Sequence, residues 1–198
     1  MRWVPLCGVI IFGFLGSSQV ALAAPPPGFS EVITHCESCH GSKGESSTPS
    51  VPRLNGQSAD YLLLRLREFS DPTSQSSHAF DNMWPVVTAM NDDSKKQIAE
   101  YFAQQTPPSI TLTGPASGKK LYEEGLHAQS VAACASCHGP NAEGGPSAPR
   151  LAGQQLEYLK TQLWDFNFVT RVHGPMNARA MKFMSEDIDA LASYLAGR

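Results

Sequence analysis

The fold class expected of this 198-residue chain is all-α, in two small tandem domains, and three observations lead there. The hexad Cys36-Glu37-Ser38-Cys39-His40-Gly41 returns as Cys134-Ala135-Ser136-Cys137-His138-Gly139. Apolar residues recur at steps of three and four along several segments, the signature of one buried helix face. No alternating apolar–polar run is long enough to make a strand.

Met1-Arg2-Trp3, the apolar run Val4 to Leu15 and the small-residue pattern Ala21-Leu22-Ala23 form the plan of a secretory signal peptide over residues 1–23. The run is short for a membrane span, with an uncleaved anchor as the competing reading. Cleavage would remove Arg2 and Cys7, leaving 14 basic against 18 acidic residues, a balance of −4. Such a chain lacks the basic patch of a nucleic-acid binder. The four cysteines left all fall in the two hexads. That separates them from an ordinary exported disulfide framework.

The duplication extends beyond the hexads. Pro52-Arg53-Leu54-Asn55-Gly56-Gln57 matches Pro149-Arg150-Leu151-Ala152-Gly153-Gln154, and Tyr61, Leu66 and Phe69 match Tyr158, Leu163 and Phe166. Ile98 to Phe102 matches Leu191 to Leu195. A period of about 95 residues is too long for a solenoid, so each unit is its own domain. The expected division is a first domain over 24–105, a Pro/Gly-containing linker over 106–116 and a second domain over 117–198. Helices are expected over Ala59 to Phe69, from Lys119, along the stripe Leu156, Leu159, Leu163 and Phe166, and from Ser185 as N-cap through Ile188, Leu191 and Leu195. The first half leaves only Pro25 to His35 for an opening helix.

Cys-x-x-Cys-His is the attachment signal for c-type haem. One helical turn presents two sulfurs and an imidazole to the same flat object: the thiols add across the porphyrin vinyl groups and the histidine becomes an axial iron ligand. Cys36, Cys39, Cys134 and Cys137 are thus the expected thioether links, and His40 and His138 the expected axial ligands. A zinc cage needs four convergent ligands, whereas the two pairs lie 98 residues apart. A thioredoxin-like dithiol needs a strand–helix context that is absent. A large apolar cofactor would also staple domains too small for a generous core of their own.

The sixth ligand separates an electron carrier from an enzyme, since a second strong protein ligand closes the iron. Met83 and Met176 each stand 18 residues before the aligned tyrosines Tyr101 and Tyr194, in stretches that read as polar loops. Methionine in general is more often core filler, but two in register point to thioether ligation. His78 and His173 lie nearby as alternatives. A histidine–methionine pair favours ferrous iron and raises the reduction potential.

With these motifs the chain resembles the two-haem cytochrome c4 family over the whole of its mature length. The resemblance implies two class I cytochrome c domains related by an approximate twofold axis, with two covalently bound haem c groups facing across the interface. It further implies that the Pro52 and Pro149 carbonyls hold the axial histidines, and it suggests Arg53 and Arg150 as partners of the haem propionates. The activity expected is single-electron transfer in the periplasm rather than catalysis. No small-molecule substrate is expected, and a two-haem peroxidase is disfavoured by the short chain and the lack of an acid–base constellation. The partners expected are redox proteins: a quinol-oxidising complex and a terminal oxidase or reductase, with peripheral membrane association. The alternative is the electron-accepting subunit of a periplasmic dehydrogenase such as a flavocytochrome c.

Overall fold

The computed structural model describes residues 28–73, 80–145 and 148–197. The leader expected over residues 1–23, and His78, lie outside the described residues.

Helices form where the apolar periodicity places them. In the first half these are α1 (Phe29–His40), α2 (Ala59–Glu68), α3 (Phe80–Val87) and α4 (Asp92–Ala103). In the second they are α5 (Ala116–Glu124), α6 (Ala135–His138), α7 (Leu156–Asn167), α8 (Gly174–Ala180) and α9 (Ser185–Ala196). Among the described residues there is no strand, only two isolated bridges, Leu126 with Val131 and Gly145 with Ala148. Caps fix the boundaries. The Ser58 hydroxyl accepts from Tyr61 N–H at the start of α2, and the Asn91 side chain accepts from Ser94 N–H at the start of α4. Ser185 does not cap α9 as expected but is its first helical residue; the carboxylate of Asp187 instead accepts from Met184 N–H, 2.9 Å away.

Helices α2 and α4 pack together in the first half, as α7 and α9 do in the second. The stripe of α9 is almost completely buried: Ile188, Leu191, Ala192 and Leu195 join Leu159, Leu163 and Phe166 of α7 in one cluster. Here the halves diverge. Helix α5 crosses α9 so closely that a Cβ on Gly118 would stand 2.1 Å from the Ala190 carbonyl oxygen. The chain then turns through residues 125–134 before reaching the second hexad. In the first half α1 runs straight into the hexad, longer than the Pro25 to His35 allowance, so one helix serves both purposes. Its core is correspondingly thin: Ile33, Leu62, Ile98, Ala99 and Phe102 are the buried members, against a cluster three times as large in the second half.

The two halves meet around the duplicated Pro-Arg-Leu-x-Gly-Gln segments. The Gln154 side chain pairs with the main chain of Arg53, accepting from its N–H at 2.8 Å and donating to its carbonyl at 2.9 Å. Gln57 does the same to Arg150, at 2.8 and 2.9 Å. This reciprocity is what an approximate twofold axis demands of an isologous contact. Around it, Gln155 donates to the Ser46 carbonyl, Tyr158 N–H to the Pro49 carbonyl, and buried Arg171 to the Tyr61 hydroxyl at 3.1 Å.

The linker is a strap that lies on both halves. Gly56 N–H donates to the Phe102 carbonyl and Gly153 N–H to that of Leu195, each at 3.0 Å. These bonds bring each loop glycine against a linker proline. With φ of +67° and +76°, added Cβ atoms would meet Pro107 at 2.5 Å from Gly56 and Pro108 at 2.8 Å from Gly153. Gly56→Ala is therefore expected to cost about 1–3 kcal/mol, from backbone strain and displacement of the strap together. A lowered midpoint in a thermal unfolding scan checks it.

Candidate functional site

Each hexad sits at the end of a helix, and the helix geometry sets out its chemistry. Cys36 and Cys39 are three residues apart in the last turns of α1, so their sulfurs share a face. Cys134 and Cys137 repeat this around α6. In each pair the first sulfur is half-buried against the core and the second is exposed. Burial pushes the Cys36 and Cys134 thiols up to about 11, so both are uncharged at neutral pH. All four cysteines are free of disulfides.

The glycine that follows each histidine is required by its backbone. Gly41 and Gly139 have φ of 78° and 82°. A Cβ on Gly41 would meet the Glu45 carbonyl oxygen, and one on Gly139 the Glu143 carboxylate, both at 2.5 Å. These turns reverse the chain, so that the loop behind each hexad returns to its histidine.

His40 and His138 are both buried, and the Nδ1 atom of each lies 2.9 Å from a carbonyl oxygen, that of Pro52 and that of Pro149. A carbonyl can only accept, so Nδ1 must carry the proton in both rings. Nε2 is then the deprotonated nitrogen, with its lone pair free for a metal. Burial holds both imidazoles below the ordinary histidine range, keeping them neutral in neutral solution. Tautomer and charge thus agree with iron ligation.

Met83 and Met176 are half-buried, and neither lies in a loop. Met83 is within α3 and Met176 within α8. Pro85 and Pro175 are accommodated in these short helices, Pro175 near the start where its missing N–H costs nothing. Met181 and Met184 are 60% and 64% exposed, while Met90 packs on the core of the first half. His173 is exposed at the start of α8.

Asn177 and Arg171 are supporting residues to which the sequence assigns no role. Asn177, next to Met176, is buried; its amide donates to the Phe166 and Arg171 carbonyls at 2.7 and 2.8 Å, and its oxygen accepts from His173 N–H. It locks α8 onto α7. The signal available was a buried-type position holding an amide inside a short helix. Arg53 is committed to main-chain oxygens, Ser46 at 3.1 Å and Gly153 at 2.6 Å. Arg150 differs: its Nε is buried with no hydrogen-bond partner among the described residues, as is that of Arg171. Orphaned guanidinium donors fit an anionic group such as a haem propionate. Among the described residues no three His, Cys, Asp or Glu side chains converge as a metal cage.

The family model for cytochrome c matches residues 115–198. A cytochrome c4 of Azotobacter vinelandii is 33% identical over 176 residues, covering 82% of this chain and 83% of that protein. The chain belongs to the cytochrome c4 family. The crystal structure of reduced recombinant cytochrome c4 from Pseudomonas stutzeri superposes with a TM-score of 0.79 at 30% identity, covering 88% of this chain and 99% of that one. At 27% identity over 211 residues, the cytochrome is also similar to a thiosulfate dehydrogenase electron acceptor of Thiomonas intermedia, covering 100% and 94% of the two chains. The cytochrome is accordingly all-α, two class I cytochrome c domains in tandem, and an electron carrier with two covalently bound haem c groups.

The two centres differ electrostatically. Arg179 places its positive charge where it acts on both Cys134 and His138, while the aligned residue of the first half is Val86. Beside Cys36 the neighbour is Glu37, where the second half has Ala135. A cation favours the ferrous form and an anion the ferric. A haem held by Cys134 and Cys137 would therefore have the more positive potential. Arg179→Gln should lower it by roughly 20–40 mV, the effect of about 0.5–1 kcal/mol from a partly exposed charge, and leave the other haem in place. A spectroelectrochemical titration that resolves both haems checks this.

Proposed function

We propose that this cytochrome is a periplasmic single-electron shuttle, carrying electrons from a quinol-oxidising complex to a terminal oxidase or reductase. In this reading Cys36, Cys39, Cys134 and Cys137 are the thioether links, and His40 with Met83 and His138 with Met176 are the axial pairs. The domains run over 24–105 and 117–198, joined by 106–116, behind a leader over 1–23. The observation that carries the reading is the pair of matched imidazoles, each with Nδ1 on a proline carbonyl at 2.9 Å and Nε2 free.

Haem supplies a one-electron ferric/ferrous couple. The protein's part is to keep coordination unchanged between the two oxidation states, so that little reorganises when an electron passes. Pro52 and Pro149 orient the imidazoles, Asn177 anchors the helix that carries Met176, and half-buried Met83 and Met176 would offer thioether sulfur from α3 and α8. The buried Nε atoms of Arg150 and Arg171, which have no hydrogen-bond partner among the described residues, would suit propionates at the junction of the halves.

A second reading, the electron-accepting subunit of a dehydrogenase, draws on the similarity to the thiosulfate dehydrogenase electron acceptor. It also draws on an exposed apolar stretch in the second half, with Phe168 and Val172 at 68% and 62% exposure and Val169 beside them. Fixed interfaces bury such groups. Among the described residues no helix is long and apolar enough to cross a membrane, so membrane association would be peripheral or through the leader. Co-purification from native membranes and periplasm separates the two: an isolated cytochrome supports the shuttle, and a stable complex with a flavin- or metal-containing chain supports the subunit.

The axial pairs are tested by Met176→Ala. This variant should lose about half of the near-infrared methionine-to-iron absorption of the oxidised protein, and the potential of the second haem should fall by a sizeable part of the about 0.8 V range that axial ligation spans. Met83→Ala should remove the other half. Unchanged absorption in either variant would reject that methionine as a ligand.

A further inference from the structure

The contact between the halves and the contact to each histidine share a single peptide group. Pro52 and Arg53 are joined by one peptide, whose carbonyl accepts from His40 Nδ1 at 2.9 Å and whose N–H donates to Gln154 Oε1 at 2.8 Å. The peptide joining Pro149 and Arg150 repeats this with His138 at 2.9 Å and Gln57 Oε1 at 2.8 Å. In both cases the glutamine comes from the other half of the molecule.

The glutamines are not free to turn away. Each amide nitrogen donates to the following arginine carbonyl, at 2.9 Å in both copies. Each Oε1 also accepts a second N–H, from Gln155 onto Gln154 and from Ser58 onto Gln57, again at 2.9 Å. With donors and acceptor both engaged, an amide flip would break every one of these bonds.

From this arrangement we infer that Gln154 and Gln57 are crossed positioning residues, each setting through one peptide group the strength of the hydrogen bond to the axial histidine of the opposite domain. The inference rests on reading His40 and His138 as iron ligands. An amide that donates at its N–H becomes a better acceptor at its C=O, because the two bonds polarise the same group. A better acceptor draws the imidazole proton further, making the ligand more electron-rich and favouring ferric iron. Docking of the two domains thus lowers both potentials at once. By linkage, oxidation of either iron tightens the clasp on the opposite glutamine.

Leucine at either glutamine removes the acceptor and leaves the local peptide intact. In holo Gln154→Leu, the ferric/ferrous equilibrium of the haem on Cys36 and Cys39 should move about two- to fourfold toward ferrous, the size expected if one bond polarises the next by some tens of per cent. At about 59 mV per tenfold for one electron, that is an upward shift of about 18–36 mV. Gln57→Leu should raise the haem on Cys134 and Cys137 instead. Each potential is followed in the full-length holoprotein by a redox titration monitored on assigned haem-methyl NMR signals. Gln155→Leu, which removes an interdomain bond outside the relay, to the Ser46 carbonyl, is the control and should move neither.

A shift of each haem by the glutamine of its own domain, an equal shift of both haems, or a Gln155→Leu variant that reproduces the effect would overturn the relay. If Gln154→Leu does not assemble, Gln154→Glu answers the same question. Its carboxylate accepts more strongly, so the first haem must fall by more than the second, and an equal or reversed effect counts against the relay. The ligand reading is checked separately by hyperfine-shifted imidazole signals from both haems in the wild type. Their absence removes that reading and the relay with it; their presence without the crossed shifts removes the relay alone.

Discussion

The peptide groups at Pro52–Arg53 and Pro149–Arg150 are the joints on which the rest of the molecule depends. Each must hold a carbonyl 2.9 Å from a buried imidazole and an N–H 2.8 Å from a glutamine of the opposite half. That double requirement explains why so much of the sequence around them is duplicated. Proline fixes φ and has no N–H of its own to satisfy. The glycine three residues after each arginine lets the loop turn with positive φ and press against Pro107 or Pro108 of the strap. Glutamine is long enough to cross to the other half, and its amide matches the donor and acceptor of a peptide.

Around this common joint the halves are unequal. The second has a separate opening helix, α5, and a continuous core that includes Tyr122, Ile188 and Leu195. The first has one helix, α1, that must pack on α4 through Phe29 and Tyr101 and also present the hexad. A domain of that size has only a thin apolar core. A covalent cofactor held at Cys36 would add to that core, as do the hydrogen bonds that clasp it to its larger neighbour. The charges are unequal too, with Glu37 at one centre and Arg179 at the other, so a shared fold is expected to give two haems of distinct energies.

Much of this was legible in the sequence because it is local or repeated. The stripe Leu156, Leu159, Leu163 and Phe166 became the buried face of α7. The hexads appeared at helix ends with their histidines on Pro52 and Pro149, as the resemblance implied. Where the reading departed from the structure, the cause was a local signal overruled by packing. The polar stretches around Met83 and Met176 read as loops, yet both methionines lie in short helices. What stayed hidden is non-local. Gln57 and Arg150 are 93 residues apart and Gln154 and Arg53 101 apart, so no window of sequence shows their pairing, although both glutamines were in view inside the doubled motif. Arg171 joins Tyr61 across 110 residues in the same way.

The central claim is that both irons are closed by one histidine and one methionine, so that the protein handles electrons without exposing metal to a substrate. The most direct measurement is proton NMR of the fully reduced holoprotein. Two separate sets of strongly upfield-shifted methionine methyl and methylene signals, one assigned to Met83 and one to Met176, are the result expected of two closed centres. A single set, or signals belonging to Met90, Met181 or Met184, would contradict it.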